Sequence, residues 1–390
     1  MFDERSPTKV PQPRAAYVHV PFCVHKCGYC DFTVVAGRDD LADRYVAAVR
    51  RELAGLPDDH GPLDTLFIGG GTPTHLSPSQ LAVLLSSLRE TFAIADGYEF
   101  SIEANPFGLT DEKLAVLSEH GVTRVSLGVQ SFDAAALKTL ERDHSPAEAR
   151  DAAERCLARF PQVSVDLIFG VPGLSQVAWE DTLSQAVATG VQHVSAYGLT
   201  FEKGTAFWTR RRRGDIAEEP DETQRMQYAA AMSALPAAGL PQYELSNYAA
   251  PGHRCRHNEA YWNRDEYWGV GPGAASLVGG VRRINHRSTT TWLRRVEAGE
   301  SAVADEEPET AETVGDELVM LGLRRVEGLC RDDFRRRVGI SLDEFAAGAV
   351  ERGVAAGWIE EAGRRVRLTR EGRFVADTVM ADFFAEPALG

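Results

Sequence analysis

The sequence predicts an α/β chain: a parallel barrel of six βα units, or part of one, followed by a mostly helical C-terminal domain. Three observations carry this. From residue 16 to about 200, six runs rich in Val, Ile, Leu and Phe alternate with longer segments of helical period. The residues with chemistry in them gather at the carboxyl ends of those runs, where barrels converge their loops. From about Thr289 the chain becomes helical and closes on a helix, two short β-like runs around Gly363 and a further helix, a winged-helix-like order.

The strands are expected in AYVHVPF, TLFIGGG, YEFSIEANP, RVSLGVQS, VSVDLIFGVP and HVSAYGLTFE. Their composition suits parallel strands covered on both faces. The helices between them announce their starts. Ser77 precedes Pro78 in SPSQLAVLLSSLRETF, Thr110 opens TDEKLAVLSEHG, which stops at Gly121, and Ser145 repeats the Ser-Pro opening. After residue 205, GTAFWTRRRRGDIAEEPDETQ reads as a surface connection before a helix through about Gly239, with Arg210 to Arg213 a solvated run. The domains are expected at 1–15 (a lead), 16–285 (the barrel and its extension) and 286–390 (the C-terminal unit).

Bulk properties set the surroundings. A chain of 390 residues with 44% hydrophobic and 25% charged residues can bury a large core. Its net charge of −15 disfavours nucleic-acid binding by bulk electrostatics. No apolar stretch reaches the ~20 residues that cross a bilayer, and MFDERSPTKVPQPR lacks the apolar core of a secretion signal. A cytoplasmic location is therefore expected.

Of six cysteines, Cys23, Cys27 and Cys30 lie within eight residues; Cys156 and Cys330 read as packing residues, and Cys255 is undecided. In a reducing compartment clustered thiols bind metal more often than they form disulfides. Structural zinc takes four ligands, which His19 or His25 could complete. A four-iron cluster held by three thiolates instead keeps one iron open.

The C-x3-C-x2-C spacing after a strand, with Tyr29 before the last thiol, resembles the radical S-adenosylmethionine (radical SAM) family. In that family the open iron chelates the methionine moiety of SAM. The resemblance implies a partial (β/α)6 TIM-like barrel of radical SAM type and a [4Fe–4S] cluster on Cys23, Cys27 and Cys30. Gly69, Gly70, Gly71, Thr72 and Pro73 match the stretch that meets the methionine ammonium. Glu103, Gln130, Arg142 and Asp166 match SAM contacts, with Tyr17 and Tyr29 beside them.

YVHVPFC, GGGTPT, SIEANP, GVQSF, DLIFGVPG and the late LTREG turn resemble the group of oxygen-independent coproporphyrinogen III oxidase and its heme-binding relatives. The oxidase carries a further cysteine where this chain has Phe32, and a longer segment before the barrel. RHNEAYWNRDEYWGVGPGAAS, after YELSNYA, resembles the heme-binding branch. There His257 could ligate heme iron beside the flat faces of Tyr261, Trp262, Tyr267 and Trp268. Such a segment also packs cores, and His253, Cys255 and His286 are rival ligands.

The resemblance implies a heme chaperone carrying the cluster and SAM, handing heme to apo heme proteins, membrane-bound respiratory enzymes among them, with transient membrane contact. No catalytic residue and no electron donor is assigned. One alternative is the oxidase itself, oxidising two propionates to vinyls. Another is a zinc protein whose C-terminal domain reads DNA, although its acidic surroundings favour a docking or lid role for that domain.

Overall fold

The computed structural model describes residues 12–57 and 61–384. The expected lead, residues 1–15, lies outside the described residues through residue 11. The six expected strands form: β1 Ala15–Val20, β2 Leu63–Gly70, β3 Ile94–Ala104, β4 Arg124–Gln130, β5 Gln162–Phe169 and β6 His193–Gly198. They pair in parallel in that order.

The barrel stays open. Beyond β6 lies β7 (Asn247–Ala249), antiparallel, and beyond β1 lies β8 (Tyr267–Val270), parallel. An antiparallel meander, β9 (Ala275–Val278), β10 (Val281–Asn285) and β11 (Val303–Pro308), completes an eleven-stranded sheet.

The helices start where their caps stand. α1 is Ala42–Ala54, and α2 (Pro78–Thr91) opens on a Ser77–Gln80 capping box. α3 (Asp111–Glu119) is capped by Thr110; α4 (Ala134–Thr139) is short; α5 (Pro146–Leu157) repeats the box with Ser145 and Glu148. Each satisfies a backbone N–H that the helix leaves orphaned. α6 (Gln176–Ala188) completes the outer layer of the βα units. The Arg run lies in a true helix, α7 (Ala206–Arg213), ended by Gly214 in the left-handed region, and α8 (Asp221–Ala237) follows.

The strands are not apolar on both faces. Outward residues such as Val18, Ile68, Ile102, Val125 and Val165 are fully buried under the helices. Inward residues are mostly polar: Thr65, Glu99, Ser101, Glu103, Arg124, Ser126, Ser164, Asp166, His193 and Ser195. The register stacks them in layers, with Thr65 beside Glu99, Glu103 beside Ser126, and Asp166 beside Ser195. A polar lumen must find partners for its groups, because an unmet buried donor or acceptor is costly.

At the amino end of the barrel those partners come from α9 (Arg256–Trp262) and the residues before it. Glu99 pairs with Arg124 Nε at 3.2 Å and accepts the backbone N–H groups of Arg256 and His257, both at 3.1 Å. Arg124 in turn donates to the carbonyls of His253 (2.8 Å) and Arg254 (3.0 Å). The pair is almost fully buried, and it plugs the barrel floor.

The C-terminal unit has its own core around Leu318, Leu323, Phe334, Phe345, Val366 and Phe383. Its three-stranded sheet includes the hairpin Ile359–Ala362 and Arg365–Leu368, which turns at Gly363. α10 (Thr289–Glu297) is buried instead with the barrel core through Trp292, Leu293 and Val296. The unit is latched to the floor side. Arg337 donates to the carbonyls of Asn263 and Arg264 at 2.7 Å each, and Arg254 pairs with Glu327 at 2.7 Å.

Removing one partner of the floor pair leaves a buried charge alone, which costs about 3–5 kcal/mol. Arg124→Met is expected to lower stability by that order. Chemical denaturation followed by circular dichroism checks it; a loss under about 1 kcal/mol would contradict the plug.

Candidate functional site

At the carboxyl end of the strands lies a cavity of about 630 Å3, lined by residues between Cys23 and Glu202. Cys23, Cys27 and Cys30 all line it, as do Tyr29, Gly70, Gly71, Thr72, Glu103, Gln130, Arg142 and Asp166. The expected residues, up to 143 positions apart in the chain, are thus brought to one place. The expected lid is not there: among the described residues none beyond Glu202 lines the cavity, and the C-terminal unit packs at the other end.

The three thiols are free, in a loop after β1 whose turn is closed by Cys30 N–H to the Cys27 carbonyl at 3.1 Å. Burial and the neighbouring thiols push Cys23 up to about 11, and burial raises Cys30. Thiols held that way stay protonated until a cation displaces the proton, as thiolate-ligated metals do. Cys23 Sγ lies 3.6 Å from Thr72 Oγ1, and Arg142 Nη1 lies 3.7 Å from Cys27 Sγ. His19, a possible fourth zinc ligand, is engaged at both nitrogens, by Thr33 O at 2.7 Å and Tyr17 OH at 3.1 Å.

The glycine turn brings backbone against the loop. A Cβ on Gly71 would stand 2.7 Å from Phe22 O and 2.9 Å from Cys23 Sγ, and Gly70 adopts φ +114°. Gly70 N–H donates to Glu103 Oε2 at 2.9 Å. Burial and the Asp166 charge push Glu103 up to about 8; burial pushes Asp166 up to about 6, although Ser126 donates to it. Two desolvated carboxyls within electrostatic reach of each other, with Ser126 between them, favour a cation at this place. Arg142 donates to Gly128 O at 2.7 Å, yet its buried Nε meets no partner among the described residues. An orphaned guanidinium donor in a cavity fits an anionic ligand group.

Strain marks the same place. Gln130 (φ +67°) ends β4 after a break in register, which turns its side chain toward the cavity. Glu141 (φ +56°) was not foreseen. Its Oε2 accepts Gly28 N–H at 2.9 Å, and its Oε1 pairs with Arg210 at 2.7 Å, so the first Arg of the run anchors the cysteine loop. Phe207 N–H donates to Gly28 O at 2.8 Å and its ring packs edge-on to Tyr29. The only sequence signal was the position of Glu141 beside Arg142.

Two expected residues lie elsewhere. Tyr17 sits one layer below the cavity, bonded to His19 and stacked on Phe67. The expectation that His257 ligates heme needs correction, because both its ring nitrogens are bonded in the floor. Thr65 Oγ1 lies 2.9 Å from Nδ1, Tyr261 OH lies 3.0 Å from Nε2, and burial pushes the ring down to about 3. Cys255 is also buried there, its thiol toward Glu99, and Cys156 is core. His253 and His286 do not line the cavity.

This barrel with a three-thiol mouth defines a class of protein. The radical SAM superfamily profile matches residues 17–186, and the HemN C-terminal domain profile matches 310–375. The superfamily implies a [4Fe–4S] cluster and SAM. Over 375 residues the chain is 39% identical to the heme chaperone HemW of Mycobacterium tuberculosis, covering 95% of this chain and 94% of that one. It is 34% identical over 381 residues to heme chaperone HemW of Bacillus subtilis, covering 96% and 100%. The chain belongs to the HemW family. Among solved structures, the coproporphyrinogen III oxidase HemN of Escherichia coli, described as a radical SAM enzyme, shares the fold with a TM-score of 0.84. Its identity is 20%, over 97% of this chain and 92% of that one.

Two variants test the placement. His257→Ala strands Thr65 and Tyr261 in the floor and is expected to cost about 2 kcal/mol of stability while leaving any heme spectrum unchanged. Thermal melting and heme absorbance check both; an altered spectrum on a stable variant would restore His257 as a ligand. Gly71→Ala forces Phe22 or Cys23 aside and is expected to cost about 1–3 kcal/mol, whereas an unshifted melting temperature would contradict the close approach.

Proposed function

We propose that this chain is a heme chaperone: it binds heme and hands it to apo heme proteins, with a [4Fe–4S] cluster and SAM held at the barrel mouth. The observation that carries the reading is the match to heme chaperones along about 95% of the chain.

The residues at the mouth fit the two cofactors. Cys23, Cys27 and Cys30 would hold the cluster, with Phe32 offering no further thiol. When bound, the cluster supplies an electron that can cleave the SAM sulfonium. Glu103, beside the backbone of Gly70 and Gly71, would accept from the methionine ammonium, and the free donor of Arg142 would meet the carboxylate. Gln130 and Asp166 stand where the remaining polar groups of SAM would lie. Tyr17 supports the lumen beneath and touches neither cofactor in this reading.

Apo heme proteins, membrane-bound respiratory enzymes among them, are the proposed recipients. Contact with the membrane would then be transient; no helix among the described residues is long and apolar enough to cross one. The proposed location is the cytoplasm. The oxidase reading shares the fold, but this chain has Phe32 where that enzyme carries a further cysteine.

One experiment separates the two. Anaerobically reconstituted protein is loaded with heme and mixed with an apo heme protein; in parallel it is incubated, reduced and with SAM, with coproporphyrinogen III. Heme transfer without formation of protoporphyrinogen IX is expected. Accumulation of protoporphyrinogen IX would overturn the chaperone reading.

A further inference from the structure

The cavity mouth carries groups that neither the thiol corner nor the carboxyl pair uses. Lys113 on α3 lines the cavity, with its ammonium donating to the carbonyls of Thr74 (2.6 Å) and Gly108 (3.1 Å). An ammonium has three donors, so one is left. The one resolved influence on its charge is burial, which lowers its pKa, and no described carboxylate pairs with it. A half-desolvated cation without a counter-charge lies open to an anionic ligand group. It is also one of only five lysines in the chain. A second, Lys26, is exposed on the same cavity.

The same mouth exposes apolar surface. Phe32 is 60% exposed, Val24 51% and Phe107 44%, and all three line the cavity. Phe32 and Val24 belong to the cysteine loop. Phe107 stands on the facing loop after β3, which is braced by Phe107 N–H to Asn105 Oδ1 at 3.3 Å. Its neighbour Gly108 supplies a carbonyl to Lys113. Aromatic side chains left in water at the edge of a polar pocket mark a binding surface. The combination fits an amphiphile with a flat apolar body and carboxylates on its edge. A tetrapyrrole with propionates is such a molecule.

We infer that heme docks at this mouth, its ring on Phe32, Val24 and Phe107 and one propionate on Lys113. The inference rests on the chaperone reading and gives it a surface, in place of the buried His257. Heme seated there would cover the entrance to the thiol corner, so the cofactor site and the cargo would share one opening. The methionine carboxylate of SAM has the same chemistry as a propionate, and the test must part them.

Heme and its dimethyl ester are titrated by absorbance into anaerobically reconstituted wild type, Lys113→Gln, Lys113→Arg and the double variant Phe32→Ala, Phe107→Ala. SAM affinity is measured alongside by calorimetry. Lys113→Gln is expected to weaken heme about tenfold and leave SAM unchanged, with Lys113→Arg close to wild type. The double aromatic variant is expected to weaken heme by a similar factor. Wild type should hold free heme about tenfold tighter than the ester, a comparison that needs no variant. Equal affinity for acid and ester, or undiminished heme binding in Lys113→Gln, overturns the docking and leaves the chaperone reading standing. Loss of SAM with heme unchanged assigns Lys113 to the methionine carboxylate and overturns it too. A wild type that binds no heme removes the chaperone reading and the docking with it.

Discussion

The interior of this barrel is polar, and everything else follows from how that polarity is met. Six strands turn Ser, Thr, Glu, Asp, Arg and His inward, where water is scarce and every unmet group costs free energy. At the floor most of the account closes: Glu99 finds Arg124 and two backbone N–H groups of α9, and His257 finds Thr65 and Tyr261, with Arg124 Nη1 left unpaired among the described residues. At the mouth it stays open. Glu103 and Asp166 are both buried, Arg142 has a donor to spare, and burial raises the thiols of Cys23 and Cys30. The half whose charges are paired gives rigidity, and the half that gathers unpaired carboxyls, a guanidinium donor and thiols around a cavity gives a site.

The rigidity is aimed at the cysteine loop. Two of the three described non-glycine residues in the left-handed region, Gln130 and Glu141, stand at the end of β4 and just before Arg142; the third, Arg264, lies on the floor side. Such conformations persist only where the surrounding structure holds them. Glu141 is held by Gly28 on one side and Arg210 on the other, and Phe207 closes over the same glycine. α7 thereby ties the far end of the six-strand series back to the loop after the first. An open barrel acquires the closure its sheet lacks.

Much of this was legible along the chain. Ser77, Thr110 and Ser145 marked their helices because a cap is a local event, and the hairpin at Gly363 is local too. The cavity residues from Cys23 to Asp166 were readable because each stands at the end of a strand, so chain order maps onto the ring. His257 was misleading for a physical reason. A histidine among aromatics looks the same as a ligand or as a core residue, and what decides is Thr65, 192 positions away. The polar lumen was hidden because short Ser and Thr side chains barely disturb a β-rich run. The position of the C-terminal unit depended on Arg337 reaching the carbonyls of Asn263 and Arg264, contacts with no signature in composition. Lys113 and Phe107 looked like an ordinary helix start and loop, and only the cavity gives them a common purpose.

The central claim is that the open half of the lumen holds a four-iron cluster with one iron left for SAM. Low-temperature paramagnetic resonance of the dithionite-reduced protein, before and after SAM is added, tests it most directly. The account predicts the signal of a reduced [4Fe–4S] cluster whose g values move when SAM binds, and a loss of that movement in Arg142→Ala. A protein that gives no such signal, and holds stoichiometric zinc without sulfide, would contradict it.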